Sequence, residues 1–175
     1  MNDIQKGYVA GIIDGEAWLG CRKNKIRTRI DRDGNKKVIY TISPSMMITN
    51  TKYKLLIYLK NLLDQYGKGN ISECKGKYAK LPNNNKCWAY YVGSGVLSKL
   101  LPEIKDLLII KKQQADLIIE LVRINQRMQY NGRSRPLNVE RRQLEIRAAL
   151  KKLNKRGRGL NRQESSITAI KADNV

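Results

Sequence analysis

The sequence predicts an α+β fold on an antiparallel sheet, and two observations carry the prediction. Stretches whose apolar residues recur at helical spacing are interleaved with stretches of alternating polarity, in the order helix, hairpin, helix, hairpin, helices. The paired strand segments are joined by short clusters of Asp, Asn, Gly and Pro, the composition of hairpin turns rather than of crossovers. At 175 residues the chain is one domain, or one domain with a tail, and long enough to bury a core. The expected division is a single domain over residues 1–155 and a basic flexible tail over 156–175.

The first helix runs into Gly7-Tyr8-Val9-Ala10-Gly11-Ile12-Ile13-Asp14-Gly15-Glu16-Ala17. Positions i, i+4 and i+8 fall on nearly one helical face, so Gly7, Gly11 and Gly15 form a stripe without side chains. Each helical glycine costs about 1 kcal/mol relative to alanine, and close approach of another backbone would compensate. Asp14 and Glu16 add formal charge at the negative end of the helix dipole. Should a second copy pack on the stripe, two Glu16 carboxylates would converge, and a divalent cation such as magnesium or calcium would relieve their repulsion. An ordinary capped helix with its acids in water fits the same residues.

Residues 18–29 read as a strand and 36–49 as its return, closed by Asp31-Arg32-Asp33-Gly34-Asn35. That order has the start of a calcium loop but lacks the distal glutamate, so it reads as a turn. On the return strand Val38, Tyr40, Ile42, Met46 and Ile48 share one face, and Thr41, Ser43 and Ser45 the other. Residues 51–66 form an amphipathic helix through Leu55, Leu56, Leu59, Leu62 and Leu63, stopped by Gly67 and Gly69. A second hairpin pairs 70–79 with 86–92 around Leu81-Pro82-Asn83-Asn84-Asn85. A short helix over 96–101 is interrupted near Pro102. A longer one over 107–129 has Ile110, Leu117, Ile118, Leu121, Val122 and Ile124 as buried candidates, and ends in the breaker Asn131-Gly132-Arg133-Ser134-Arg135-Pro136. The last helix, over 139–155, is basic on its outside.

Thirty-five Lys and Arg against 15 Asp and Glu leave a net charge of +20, the signature of a chain that binds a polyanion. Nucleic acid is the first expectation and an anionic membrane the weaker one. From Arg133 onward twelve basic and four acidic side chains leave a surplus of eight, which fits either a phosphate-contacting surface or a solvated helix face. No apolar stretch is long enough for a bilayer and no signal region opens the chain, so a soluble, intracellular protein in the cytoplasm or an organelle matrix is expected. Cys21, Cys74 and Cys87 are far apart in sequence and lack histidine companions, which excludes the usual zinc spacings and predicts reduced, mostly structural thiols. With no histidine in the chain, catalysis would fall to carboxylate, lysine, water or metal.

At Val9-Ala10-Gly11-Ile12-Ile13-Asp14-Gly15-Glu16-Ala17 the chain resembles the LAGLIDADG homing endonucleases. The order of helices and hairpins matches their αββαββα core over about residues 4–130, in which the antiparallel sheet forms a DNA-binding saddle, here followed by C-terminal helices. The motif occurs once, so the resemblance is to the single-motif, intron-encoded subclass, whose members act as homodimers. Glu16 stands where many members have aspartate and Ala17 where glycine is usual.

The resemblance implies a site-specific nuclease that cuts both strands of double-stranded DNA at a long pseudo-palindromic target, with magnesium as cofactor and calcium as a bound but non-productive substitute. It makes Gly7, Gly11 and Gly15 the dimer interface, Glu16 and Gly15 the metal ligands, and Asp14 a capping or orienting residue. Lys111 becomes an electrostatic stabiliser near the scissile phosphate, Asn50 a water-positioning residue, and Lys54 a further catalytic-region cation. By residue type alone Asn50, Lys54 and Lys111 read as surface side chains. DNA reading would fall to the two hairpins: Arg22 and Asn24 on the first strand, with Lys25, Arg27 and Arg29 near its tip meeting either bases or phosphates, Thr41, Ser43 and Ser45 on its return, and Ser72, Lys75 and Lys77 on the second hairpin, Lys75 lying on the face opposite Ser72. Strands of about 12 residues span about 40 Å, or on the order of ten base pairs per subunit, and a bulge would reverse the faces. An intron RNA maturase, or a non-catalytic nucleic-acid-binding protein on the same scaffold, is the alternative, and only a maturase role would make RNA a partner. Retention of Glu16 and Lys111 favours the enzyme.

Overall fold

The computed structural model describes residues 1–30, 34–74, 86–127 and 136–155. Helix α1 (Asp3–Glu16) leads directly into β1 (Ala17–Ile30), which pairs with β2 (Lys36–Asn50). Helix α2 (Tyr53–Leu63) and a 3-10 turn (Asp64–Tyr66) precede β3 (Asn70–Glu73), β4 (Trp88–Gly93) and α3 (Ser94–Ile104). A second 3-10 turn (Lys105–Leu107), α4 (Lys112–Arg127) and α5 (Leu137–Leu153) complete the order. The sheet runs β1-β2-β4-β3, with every neighbouring pair antiparallel. This is the predicted α+β architecture.

Local chemistry explains the start of α1, a helix weakened by its glycines. Asn2 and Gln5 form a capping box: the Gln5 N–H donates to Asn2 Oδ1 at 2.9 Å and the Asn2 N–H donates to Gln5 Oε1 at 3.0 Å. Val9, Ala10 and Ile13 bury the inner face, while Ile12 is only half-buried at its margin. Leu56, Leu59 and Leu63 of α2 and Leu97, Leu100, Leu101 and Ile104 of α3 are fully enclosed with Leu19, Met46, Ile48 and Tyr90 of the sheet. Burying each such side chain stabilises the fold by about 1.5–3 kcal/mol. Gly67, at φ 140°, ends the α2 region in backbone that only glycine adopts without strain.

Five details depart from the sequence reading. The core face of β2 stops at Ile42, because Tyr40 lies beyond the covering helices, 40 % exposed, with Lys23 Nζ 4.0 Å above its ring. Pro102 sits inside α3 and does not interrupt it; so near the C-terminal end it removes one hydrogen bond, to the Ser98 carbonyl. Residues 108–111 are not helical, and Ile110 is 72 % exposed rather than buried. A register shift between Lys25 and Arg27 pairs Arg27 with Ile39, Thr28 with Val38 and Arg29 with Lys37, the irregularity that changes strand parity near a hairpin tip. Cys74 and Cys87, distant in sequence, are brought together where β3 and β4 continue toward their connection.

β4 pairs with β2 only from Ser45 to Asn50, so beyond Ser45 the first hairpin continues as a two-stranded ribbon. Pro44 falls where β2 has lost this neighbour, which is why a proline fits an otherwise central strand. Helix α5 buries Ile146 and Leu150 in the core, and polar side chains tie it and its C-cap to α4 and the base of the ribbon. Gln143, fully buried, donates from Nε2 to Asn125 Oδ1 at 2.6 Å, and Asn125 Nδ2 donates to the Ile42 carbonyl at 2.9 Å. Asn154 Nδ2 donates to the Leu19 carbonyl at 3.0 Å. Arg142 clasps Glu120 of α4 through Nε at 2.7 Å and Nη2 at 2.9 Å. No helix among the described residues is long and apolar enough to cross a membrane. The tail 156–175, the loop 81–85, the breaker residues 131–135, Asp31, Arg32 and Asp33 lie outside the described residues.

Candidate active site and nucleic-acid interface

The C-terminal end of α1 meets the turn that precedes α4. α1 has no basic residue in its last turn, and Lys111, far along the chain, supplies the missing cation. Its Nζ donates to the Ile13 carbonyl at 2.8 Å and to the Asp14 carbonyl. The Ala17 N–H also donates to the Ile13 carbonyl, which closes the helix. Burial pulls the Lys111 pKa below the ordinary lysine value, against the opposing pull of the Asp14 and Glu16 charges.

Asp14 holds the other side of this junction. Its Oδ2 accepts the backbone N–H of Ile109 at 2.7 Å and of Ile110 at 3.2 Å, and its Oδ1 accepts the Lys111 N–H at 2.9 Å. Three donors on one carboxylate explain why residues 108–111 leave the helical path: their N–H groups point at Asp14. The Lys111 carbonyl then accepts the Ala115 N–H at 2.9 Å and begins α4. Asp14 and Lys111 thus clamp α1 and the α4 entry together, with Asp14 accepting three backbone N–H groups. What sequence reasoning missed is its target, because no local signal links residues 95 or more positions apart.

Glu16 and Gly15 are exposed just past this clamp, and the charge of Glu16 is felt at Lys111. Ala17 pairs with Ile48, so Asn50 lies two residues further along β2, at the same end of the sheet. Asn50 Oδ1 accepts the Lys52 N–H at 2.8 Å, which ties it to the β2–α2 turn. Lys54 is exposed on the first turn of α2. The fold therefore brings Lys111 to the end of α1, where the Glu16 charge is felt, and places Asn50 at the adjacent strand end.

The outer face of α1 is bare. Gly7, Gly11 and Gly15 are exposed, and a Cβ placed on any of them would meet no atom within 4 Å. Ile4, 85 % exposed, and Tyr8 lie on the same face. Nothing among the described residues requires glycine at these positions.

The sheet face away from the core holds the reading candidates. Arg22 pairs with Ser43 and Asn24 with Thr41, each pair on one face of the ribbon, with Arg22 and Asn24 exposed and Thr41 and Ser43 half-buried. Arg22 also stands 5.1 Å over the ring of Tyr91 on β4, a partner that needed the strand order to be found. Lys25 is exposed but pairs with Tyr40, on the opposite face. Ser45 corrects the expectation of an open polar face, being 8 % exposed. It lies between Gly20 and Gly93 on the neighbouring strands, and the Trp18 ring folds into the space a Gly20 side chain would take. Ser72 is half-buried on β3, opposite Ala89. Lys75 and Lys77 lie outside the described residues, as do the side chains of Arg27 and Arg29.

No family model matches the chain, and no curated protein matches it in sequence. Solved structures do match. The archaeal intron-encoded homing endonuclease I-Vdi141I, complexed with DNA, superposes with a TM-score of 0.61 at 23 % identity over 86 % of this chain and 84 % of that one. The LAGLIDADG homing endonuclease I-SmaMI, bound to cleaved DNA, gives 0.56 at 20 % identity over 86 % of this chain but 43 % of its own. The group I intron-encoded homing endonuclease I-CeuI, complexed with DNA, gives 0.52 at 16 % identity over 72 % of this chain and 57 % of that one. At these identities the shared property is architecture: the chain has the fold of the LAGLIDADG homing endonucleases.

Proposed function

We propose that the protein is a homodimeric, site-specific DNA endonuclease that hydrolyses phosphodiester bonds with a divalent metal, a homing endonuclease of the single-motif type. The observation that carries this reading is an exposed Glu16 and a clamped Lys111 at the end of a helix whose outer face carries an exposed glycine stripe. Asp14 is committed to three backbone N–H groups, which leaves Glu16 as the available carboxylate of the motif. Among the described residues no three Cys, Asp or Glu side chains converge as a metal site. The Glu16 carboxylate and the Gly15 carbonyl are the hard oxygen donors that magnesium and calcium take, and a second copy packed on the glycine stripe would double them. Bound there, such ions would lower the pKa of water and neutralise charge growing on the phosphate.

The chain's own residues set the stage for that chemistry. Lys111 is held by two carbonyls and partly desolvated, so its charge acts on a neighbouring phosphate with little reorganisation. Asn50, at the adjacent strand end, would orient water, and Lys54 would contribute charge nearby. The ribbon presents Arg22, Asn24, Thr41 and Ser43 in one plane, a two-stranded element of the width the major groove admits. The net charge of +20 supplies the affinity for phosphate. That this chain covers 43 % of I-SmaMI, and most of itself in doing so, is what two units of this size per DNA site would give.

The test is cleavage of DNA spanning the chain's own uninterrupted insertion locus in the presence of magnesium, by the wild type and by Glu16→Gln. The wild type should cut at one site, and the variant should bind the same DNA without cutting. Normal cutting by the variant would remove Glu16 from the reaction; absence of site-specific cutting by the wild type would overturn the reading.

A further inference from the structure

Cys74 and Cys87 stand opposite each other at the point where the β3–β4 ladder runs out. Glu73 pairs with Trp88, and one step further the Cys74 N–H donates to the Cys87 carbonyl at 2.7 Å. That bond makes them a hydrogen-bonded antiparallel pair, the type whose Cα atoms stand about 5.5 Å apart, inside the 4.4–6.8 Å range of disulfides. Both thiols are free and half-buried, and Cys87 Sγ donates to the Trp88 carbonyl at 3.9 Å. The third cysteine, Cys21, is on β1, at the far side of the sheet from β3. Nothing in the nuclease reading uses this pair.

We propose that Cys74 and Cys87 form a reversible thiol–disulfide modification site, oxidised by exchange with a small-molecule disulfide. In the first step one cysteine thiolate attacks the S–S bond of the small molecule, forming a mixed disulfide and releasing one of its halves as a thiolate. In the second step the other cysteine thiolate attacks the protein sulfur of that mixed disulfide, forming the Cys74–Cys87 bond and releasing the second half. Two protein thiols are oxidised, one small disulfide is reduced to two thiols, and the protons lost by the cysteines go to the leaving groups or to water. Opposed cysteines favour the second step, since the resolving residue stands directly across the ladder. Desolvation by burial and the adjacent Cys87 raise the Cys74 pKa to about 11, so exchange should quicken as the solution becomes alkaline. Disulfides in reducing compartments are commonly transient and redox-sensing, the use a pair of this kind fits.

The experiment treats the full-length protein with glutathione disulfide and counts free thiols after denaturation, with peptide mass mapping before and after dithiothreitol. Wild type and Cys21→Ser should each lose two thiols and yield one linked Cys74–Cys87 peptide, without a covalent dimer, and dithiothreitol should restore both. Cys74→Ser should take up one glutathione at Cys87 and form no internal link. Separate glutathione adducts on Cys74 and Cys87 of the wild type, a link through Cys21, or no thiol loss at any pH up to 9 would each overturn the proposal, roughly two units below the raised Cys74 value being ample for exchange. None of these readouts depends on DNA or on cleavage.

Discussion

Replacing Gly11 with alanine should have opposite effects on the single chain and on the pair of chains. Gly11 lies in the interior of α1, exposed, with no atom within 4 Å of the position its Cβ would occupy. In the isolated chain the substitution therefore adds helix propensity without a clash, a gain of about 1 kcal/mol. For a chain of this size that raises the melting midpoint by about 2–4 °C. If two copies meet along this face, each added methyl presses on the partner helix, and overpacking of a close contact costs about 1–3 kcal/mol. Dimer affinity should fall about tenfold to a hundredfold. Gly11→Leu should abolish the dimer and leave the fold intact. The assay pairs sedimentation equilibrium with thermal unfolding at concentrations where the chains are separate, since a bound partner raises the apparent midpoint by mass action. Unchanged dimerisation by Gly11→Leu, or a lower monomer midpoint for Gly11→Ala, would refute the reasoning.

Three further outcomes follow from other parts of the molecule. Asp14→Asn leaves one oxygen to face three backbone donors, so stability should drop by about 1.5–3 kcal/mol and amide exchange at 109–111 should accelerate; native exchange there would contradict the clamp. Burial, and then the hydrogen bond to Glu103, raise the Tyr66 pKa from 10.0 to about 12, so its contribution to stability is fully present below pH 10 and is lost as pH rises toward 12. Tyr66→Phe should flatten that alkaline loss in denaturant titrations, and an unchanged slope would count against it. Finally, DNA affinity should fall steeply between low and physiological salt, and a flat dependence would exclude a phosphate-dominated interface.

The element order was legible because amphipathic periodicity and turn chemistry are local, and the leucines of α2 announce its buried face without help from the rest of the chain. Glu16 and the glycine stripe were legible for a similar reason, since one helical period places them. The Asp14 clamp was not, because its partners lie beyond four intervening strands and two helices. It also overrode the local signal, turning residues 108–111 out of the helix that their apolar spacing suggested. Ser45 shows a different failure. Alternation placed it correctly on the polar face, but burial there depends on Gly20, Gly93 and the Trp18 ring, which only the pairing of three strands brings together. The same strand order produced the Arg22–Tyr91 contact, while the Cys74–Cys87 pair depends on the register of the second hairpin.

Mixing wild-type chains with Glu16→Gln chains tests the central claim, that two copies complete one cutting site, most directly. With equal amounts allowed to exchange, random pairing leaves about a quarter of the dimers with two wild-type glutamates. Double-strand cutting at saturating DNA should fall to about that quarter if both glutamates are needed. A fall only to about half, in proportion to the wild-type chains present, would mean that each chain cuts alone and would contradict the account.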